Sequence, residues 1–496
     1  MMKSLLPWAT TFILSNLWTQ CLADNTGSKQ DRLKSCLQSK GVEAVAQGSE
    51  KFSSAISSWN LRLKFNPVMV VVPKSTDQIS AAVACGESSE VRVTAKSGGH
   101  SFGSYGLGGE DGHLLIDLAG MNQVKLDNGS HVAKVQPGAR LGHVATELFN
   151  QGRRAFAHGA CPGVGVAGHV LHGGYGYFSQ THGLALDWLT GATVVLGNGS
   201  VVHCSKDENK DLFWALRGAG SSFGIVSELE FNTFEAPSQF FPFKIQLQWN
   251  ETKATREFQV LQNFIKSSPK ELNMELYMET TFQSIDGAYF GDEKTLRSVI
   301  KPLLDGLEGA SFNTSSMSWM DALSYFANGE ELISPSPYKE NVTAYASSLM
   351  TPALSEQQVK SLMSTLFGNI NDPNARHSWS ALFQLYGGNN SAVAAVKSSD
   401  TSFPHRDKLL LYQFFDLANE TTYSQQGFGM MKGFRESVTN SMKDTEWGMY
   451  ANYLDTEQNG ETAQKLYWGG NLQRLQGIKK QLDPKNVFWN PQGIQA

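Results

Sequence analysis

The residues best suited to chemistry sit in two short segments, Ser97-Gly98-Gly99-His100-Ser101 and His158-Gly159-Ala160-Cys161-Pro162-Gly163. Each sets one nucleophilic side chain, the His100 imidazole or the Cys161 thiol, in a glycine-rich turn. Glycine has no Cβ and reaches backbone conformations closed to other residues, so a large flat ligand can lie close to such a turn. A third segment, Tyr450-Ala451-Asn452-Tyr453-Leu454-Asp455, holds candidate bases. A tyrosine acting as a base near neutral pH needs its pKa, ~10 unperturbed, lowered by a charge or hydrogen bond.

These segments need elements to hold them. Met69-Val70-Val71-Val72 is an apolar run closed by Pro73, and Ser75-Thr76-Asp77-Gln78-Ile79 starts a helix with a cap-like polar residue. Val91-Arg92-Val93-Thr94-Ala95 alternates as a strand does and feeds the His100 turn. Leu114 to Leu118 and Ala133 to Pro137 predict two more strands, giving an α/β or α+β pattern, of which α+β is taken as the fold class. Near 231–237 the glycines thin out. Beyond this point Met274-Glu275-Leu276-Tyr277-Met278 and Leu409 to Phe415 read as strands of a second domain. Thr462 to Leu482 predicts a closing helix, ended by Asp483-Pro484.

The chain has 496 residues, 41% hydrophobic and 18% charged, with net charge −5. That is ample for two packed domains, and the absence of any basic run argues against nucleic acid as a partner. Residues 1–23 combine a positive start, a short apolar core from Ala9 to Trp18 and a small-residue exit near Ala23, which predicts a secretory signal peptide. No segment is long enough to span a membrane, and a monomer is expected. Sequons at Asn128, Asn198, Asn250, Asn313, Asn341, Asn389 and Asn419 fit a secreted glycoprotein.

Gly163-Val164-Gly165-Val166-Ala167-Gly168 matches the dinucleotide fingerprint literally, with Asp187 about twenty residues on. No buried strand precedes it, since Pro162 would break one, and too many glycines follow for the required helix. The reading preferred is a glycine-lined channel whose main-chain N–H groups hold a pyrophosphate. His158, His169, His172 and His182 lack metal-site spacing, so no metal is expected.

The loop Val93 to Gly106, His172-Gly173-Gly174-Tyr175-Gly176, Thr181-His182-Gly183-Leu184, Asp211 to Gly218 and the C-terminal Lys465 to Leu472 with Asp483 to Phe488 together resemble berberine bridge enzyme-like oxidases. The likeness to fungal glucooligosaccharide oxidases spans nearly the whole mature chain. It implies a vanillyl-alcohol oxidase-type FAD domain in two parts, 24–235 and 446–496. Between them, 236–445 would form a substrate domain built on an antiparallel sheet covered by helices. It further implies FAD bonded twice, His100 to the flavin 8α-methyl carbon and Cys161 to ring C6. Ser97, Gly98, Gly99, Ser101, Gly165, Gly168, Gly173, Gly174, Tyr175, Gly176 and Ile225 would line the cofactor. In an oxidising compartment Cys36 is expected to pair with Cys85, which leaves Cys161 for flavin, and Cys204 reads as a small buried hydrophobe.

Within this resemblance Tyr453 takes the role of base, with hydride passing to flavin and dioxygen as final acceptor. The position of the family's assisting Asp is Gln384, a neutral amide that can bond a phenolate but cannot take a proton as Asp does. The family's polar sugar contacts fall on Ser380, Leu382, Phe102, Glu275 and Tyr277, with Gln413 alone retained. Losing several buried polar partners, each worth ~1–3 kcal/mol, predicts a more apolar pocket. Tyr277, Leu382, Gln413 and Phe102 are thus the candidate substrate contacts. The expected substrate is a small secondary metabolite, oxidised or oxidatively cyclised; the alternative is an oligosaccharide oxidised to a lactone with release of peroxide.

Overall fold

Three short parallel strands, Met69–Val71, Val93–Lys96 and Leu114–Asp117, form a sheet with Leu114–Asp117 in the centre. In this computed structural model, which describes residues 28–334, 341–376, 378–418 and 422–496, the expected signal peptide and Asn419 lie outside the described residues. The helix Thr76–Ser88 starts as its polar lead-in predicts: the Ser75 hydroxyl accepts a hydrogen bond from the Gln78 N–H. A disulfide joins Cys85 on this helix to Cys36 on Lys29–Ser39, and Leu33, Leu37, Ile79 and Val83 pack between them. Cys204 is buried, which pushes its thiol up to about 12 and leaves it chemically quiet. A second, antiparallel sheet of five strands runs in the order Val124–Leu126, Val132–Val135, Ile225–Asn232, Leu189–Val195, Val201–Ser205.

After Asn232 the chain leaves these sheets. The strands Phe241–Gln246, Leu272–Glu279, Gln283–Tyr289, Ser311–Thr314, Thr343–Thr351, Trp379–Leu385 and Leu410–Ala418 build one seven-stranded antiparallel sheet. Alternation along its middle strands sorts the side chains between two faces. Met274, Leu276, Met278, Ala381, Phe383, Tyr412 and Phe414 enter a core shared with the helices Glu251–Ile265, Glu356–Asn371 and Gln425–Thr439. Burial of each larger one stabilises by ~1.5–3 kcal/mol. Glu275, Tyr277, Leu382, Gln384 and Gln413 occupy the other face. In register Glu275 opposes Gln384, Tyr277 opposes Leu382, and Leu382 opposes Gln413.

From Met449 the chain packs against its own first half. Ala463, Leu466, Trp468, Leu475 and Ile478 share a core with Val144, Val170, Leu216 and Phe223, and Phe488 bridges to Val93. The single helix expected over Thr462 to Leu482 is two helices, Gly460–Trp468 and Leu472–Leu482. Gly469, at φ +44°, takes the chain out of the first, and a 3₁₀ turn over Gly469–Asn471 starts the second. No helix among the described residues is long and apolar enough to cross a membrane.

Candidate active site

The turns carrying His100 and Cys161 are brought together by a direct crossing of backbones. At Gly98 an added Cβ would lie 2.3 Å from the Gly165 nitrogen, and at Gly165 one would lie 2.1 Å from the Gly98 nitrogen. Both positions must therefore be glycine. Arg140 fastens the crossing: its Nη1 donates to the Gly98 carbonyl at 2.9 Å and also to the Gly163 carbonyl. The Leu141 N–H donates to the Val164 carbonyl and the Gly142 N–H to that of Pro162. Ser97 is anchored through its hydroxyl, which donates to the Pro137 carbonyl.

Beside the crossing a long cleft opens, with about 1380 Å³ of empty space counting its mouth. Ser97, Gly98, Gly99, His100, Ser101, Gly165, Gly168 and Ile225 all line it. An extended, flat cofactor fits this donor set. A Cβ on Gly168 would meet no protein atom within 4 Å, so that position faces open space. The lining residues include no lysine or arginine, so the donors available to a pyrophosphate are uncharged, main-chain N–H groups among them. Trp468, Trp489, Asn452 and Gln492 complete the wall, and sequence reasoning had not marked them for this role.

His100 stacks on Trp59, ring centroids 4.3 Å apart. Burial lowers its pKa to about 4, the Arg140 charge adding to this and a backbone hydrogen bond opposing it. The imidazole is therefore neutral at physiological pH. Cys161 is exposed and lies outside the disulfide. It does not border this cleft, but it is near enough to Tyr453 to influence the phenol's ionisation.

Gly173, Gly174, Tyr175 and Gly176, expected to touch cofactor, are not among the residues lining this cleft. A Cβ on Gly173 would meet the Tyr450 ring, one on Gly174 the Ala185 side chain, and one on Gly176 the His158 carbonyl. The N–H groups of Gly174 and Tyr175 donate to the Tyr450 hydroxyl at 2.8 and 3.1 Å. These residues pack the core beneath the site, and their positive φ angles, +138° and +83° for Gly173 and Gly174, serve that turn. Two histidines nearby also have protein partners: buried His169 accepts from the Gly159 N–H, and half-buried His172, on the cleft wall, pairs with Ser221 and the Gly168 carbonyl.

Tyr453 lies in a 3₁₀ turn, Ala451–Tyr453, against the open face of the seven-stranded sheet. Gln384 Nε2 donates to Tyr453 Oη at 3.1 Å, which brings the two expected catalytic residues into contact. Burial nevertheless raises the phenol far above its ordinary value, Tyr450 adds to the rise, and the bond from Gln384 opposes it. Phe102 stands 6.3 Å from the Tyr453 ring and 5.6 Å from Phe415. Tyr277, Leu382 and Gln413, each half-buried, form a row across three neighbouring strands. Glu275 lies behind them, accepting hydrogen bonds from the Tyr177 hydroxyl and, at 3.4 Å, from Gln384.

Comparison with known proteins bears on this arrangement. The FAD binding domain family matches residues 67–205, and the berberine and berberine-like family matches 449–495. The chain is 46% identical to the chitooligosaccharide oxidase of Gibberella zeae, over 94% of this chain and 95% of that protein. It is 44% identical to the FAD-linked oxidoreductase dpmaF of Metarhizium anisopliae, over 96% and 93%. It is 41% identical to the glucooligosaccharide oxidase of Sarocladium strictum, over 94% and 95%. A solved glucooligosaccharide oxidase from Acremonium strictum, described with 6-S-cysteinyl, 8α-N1-histidyl FAD, has a TM-score of 0.90 and 40% identity. It covers 94% of this chain and 99% of that one.

Fold and site thus define an FAD-dependent oxidase of the vanillyl-alcohol oxidase type. The chain belongs to the berberine bridge enzyme-like family. Several of the similar proteins are oligosaccharide oxidases, which supports the carbohydrate alternative better than the expected secondary-metabolite substrate.

Proposed function

We propose that this chain is a carbohydrate oxidase that takes an oligosaccharide at its reducing end and converts the C1 hydroxyl to a lactone. The supporting observation is the row Tyr277, Leu382 and Gln413 on the open sheet face beside Tyr453. The Gln413 amide has no hydrogen-bond partner among the described residues. Tyr277 lies 5.5 Å from the Phe282 ring, and Phe415 and Phe102 add further apolar faces. Sugar rings are bound by such pairings, an apolar C–H face on an aromatic ring and hydroxyls on an uncommitted amide.

His100 and Cys161 are the residues that would hold FAD covalently; bound there, it would supply the hydride acceptor for C1 and the route of the electrons to dioxygen, with hydrogen peroxide as product. Tyr453 takes the proton of the substrate hydroxyl, and Gln384 stabilises the resulting charge from Nε2. The Gln384 Oε1 atom, buried with no protein partner, is an acceptor for a substrate hydroxyl.

The protein passes through the secretory pathway. The Cys36–Cys85 disulfide and the exposed side chains of Asn128, Asn198, Asn250, Asn313, Asn341 and Asn389 support that reading.

The deciding experiment is peroxide release from the purified yellow protein across chito-, cello- and xylo-oligosaccharides. Turnover on one of these series at sub-millimolar concentration is expected. Silence on all of them from flavin-loaded protein returns the substrate to the small metabolites.

A further inference from the structure

We infer that Glu275 is a positioning residue for proton abstraction, its carboxylate holding the Gln384 amide with Nε2 toward Tyr453 Oη. The inference rests on Tyr453 being the group that takes the hydroxyl proton. Glu275 and Gln384 oppose each other in register on the strands Leu272–Glu279 and Trp379–Leu385. Gln384 Nε2 donates both to Glu275 Oε2, at 3.4 Å, and to Tyr453 Oη, at 3.1 Å. The Tyr177 hydroxyl donates to the other carboxylate oxygen. Glu275 is 8% exposed and Gln384 5%, so water competes little for these bonds.

An amide has two ends, and Glu275 decides which one Tyr453 meets. Turned over, Gln384 would set Oε1 against the carboxylate, acceptor facing acceptor. Only a protonated Glu275 could donate to it. An ionised Glu275 therefore selects the orientation that presents an N–H to Tyr453, where it stabilises the phenolate. A protonated Glu275 permits the opposite one, where the amide oxygen accepts a hydrogen bond from the phenol O–H and stabilises its protonated form.

The groups facing Glu275 come from several elements. Tyr175 and Tyr177 approach from the glycine-rich turn, and Tyr453 from its 3₁₀ turn. Asp286 is its register partner on Gln283–Tyr289 and lies 3.3 Å from Lys244; Tyr277 is two residues along its own strand. Glu275 makes no salt bridge among the described residues. Burial lifts its carboxyl to about 7, the bonds from Tyr177 and Gln384 pulling down and Asp286 pushing up. On Tyr453 the bond from Gln384 outweighs the charge of Glu275, so the pair acting together favours ionisation of the phenol. Since the ionised carboxylate is the working form, the effect is present above about pH 7 and lost as pH falls through it.

Two measurements on the flavin-loaded enzyme test this. The first is anaerobic single-turnover flavin reduction against pH. The wild-type rate is expected to climb through a step near pH 7, distinct from the alkaline rise that belongs to Tyr453. Glu275→Gln loses that step and runs roughly tenfold slower above it, KM and flavin loading being retained. Glu275→Asp restores the step. The second measurement is infrared difference spectroscopy without substrate. A protonated-carboxyl C=O band is expected to titrate near 7 and to be missing from Glu275→Gln.

Tyr177→Phe keeps the ring stacked 4.1 Å from Phe326 but removes a donor to the carboxylate. It should move both band and step to higher pH, and it stands in if Glu275→Gln does not fold. Absence of the band from wild type overturns the inference, as does a Glu275→Gln enzyme with wild-type rate and step. If no oligosaccharide reduces the flavin yet the band titrates as stated, the carbohydrate reading falls and Glu275 keeps its assignment.

Discussion

Burial and hydrogen bonding pull the Tyr453 phenol in opposite directions, and burial is the stronger. A base must be deprotonated to act, so a base held above its ordinary value gains competence as pH rises. Flavin reduction is accordingly expected to keep rising into the alkaline range. Gln384→Leu removes the one hydrogen bond that opposes burial; it should push this rise to still higher pH and slow reduction roughly tenfold at fixed pH. Stopped-flow reduction under nitrogen reads both effects, and an unmoved profile would take Gln384 out of the proton chemistry. Tyr453→Phe should keep its flavin but reduce it slower by ~10²–10⁴. His100→Ala and Cys161→Ala should each retain flavin through acid precipitation, because one bond remains. Loss of all flavin from either variant would contradict double attachment. His100, Cys161 and Tyr453 could be found from sequence because each sits in a distinctive local run. Glu275 acquires its contact with Gln384 only through strand pairing 109 residues apart, a relation that no local spacing encodes.

At the scale of elements, the crossing of Gly98 and Gly165 positions the site. Gly165→Ala would place a Cβ 2.1 Å from the Gly98 nitrogen, a backbone atom that cannot move aside as a flexible side chain can. The loops must then separate, and Arg140 can no longer reach both carbonyls. Flavin incorporation, read as absorbance per mole of purified protein, should fall severely; normal loading would show that the crossing is dispensable. The alternating strands on either side were legible because a two-residue period is a local property. The glycines at 173, 174 and 176, expected as cofactor contacts, direct their Cα hydrogens at protein and are not among the residues lining the cleft. Sequence shows that a backbone approaches something closely, but not whether the neighbour is a ligand or, as here, Tyr450, Ala185 and the His158 carbonyl. Arg140 and Trp59 carried no local signal, since their roles depend on loops distant in the chain. The break at Gly469 escaped because the apolar pattern on either side of it suits a single helix.

Over the whole molecule, one carboxylate ties the sheet and its covering helix to the C-terminal segment. Asp455 is fully buried, two residues after Tyr453. Its Oδ2 accepts from the Ser347 hydroxyl at 2.8 Å and from Arg435, and its Oδ1 accepts from the Tyr345 hydroxyl and, at 2.9 Å, from the Glu457 N–H. Tyr345 and Ser347 belong to the strand Thr343–Thr351, and Arg435 to the helix Gln425–Thr439. The segment from Met449 onward packs into the other core, so the network holds the Tyr453 turn against the sheet face it serves. Removing one partner of a buried ion pair leaves the other charged and uncompensated, at ~3–5 kcal/mol. Asp455→Asn keeps the shape but strands Arg435 in this way. Denaturant unfolding should show a loss of about that size. Flavin reduction should also slow under conditions where the protein remains folded, because Tyr453 loses its anchor. A variant within ~1 kcal/mol of wild type would place the joining of the two cores elsewhere. A large stability loss with unchanged reduction would mean that the Tyr453 turn is held by Gln384 and the Tyr450 contacts alone.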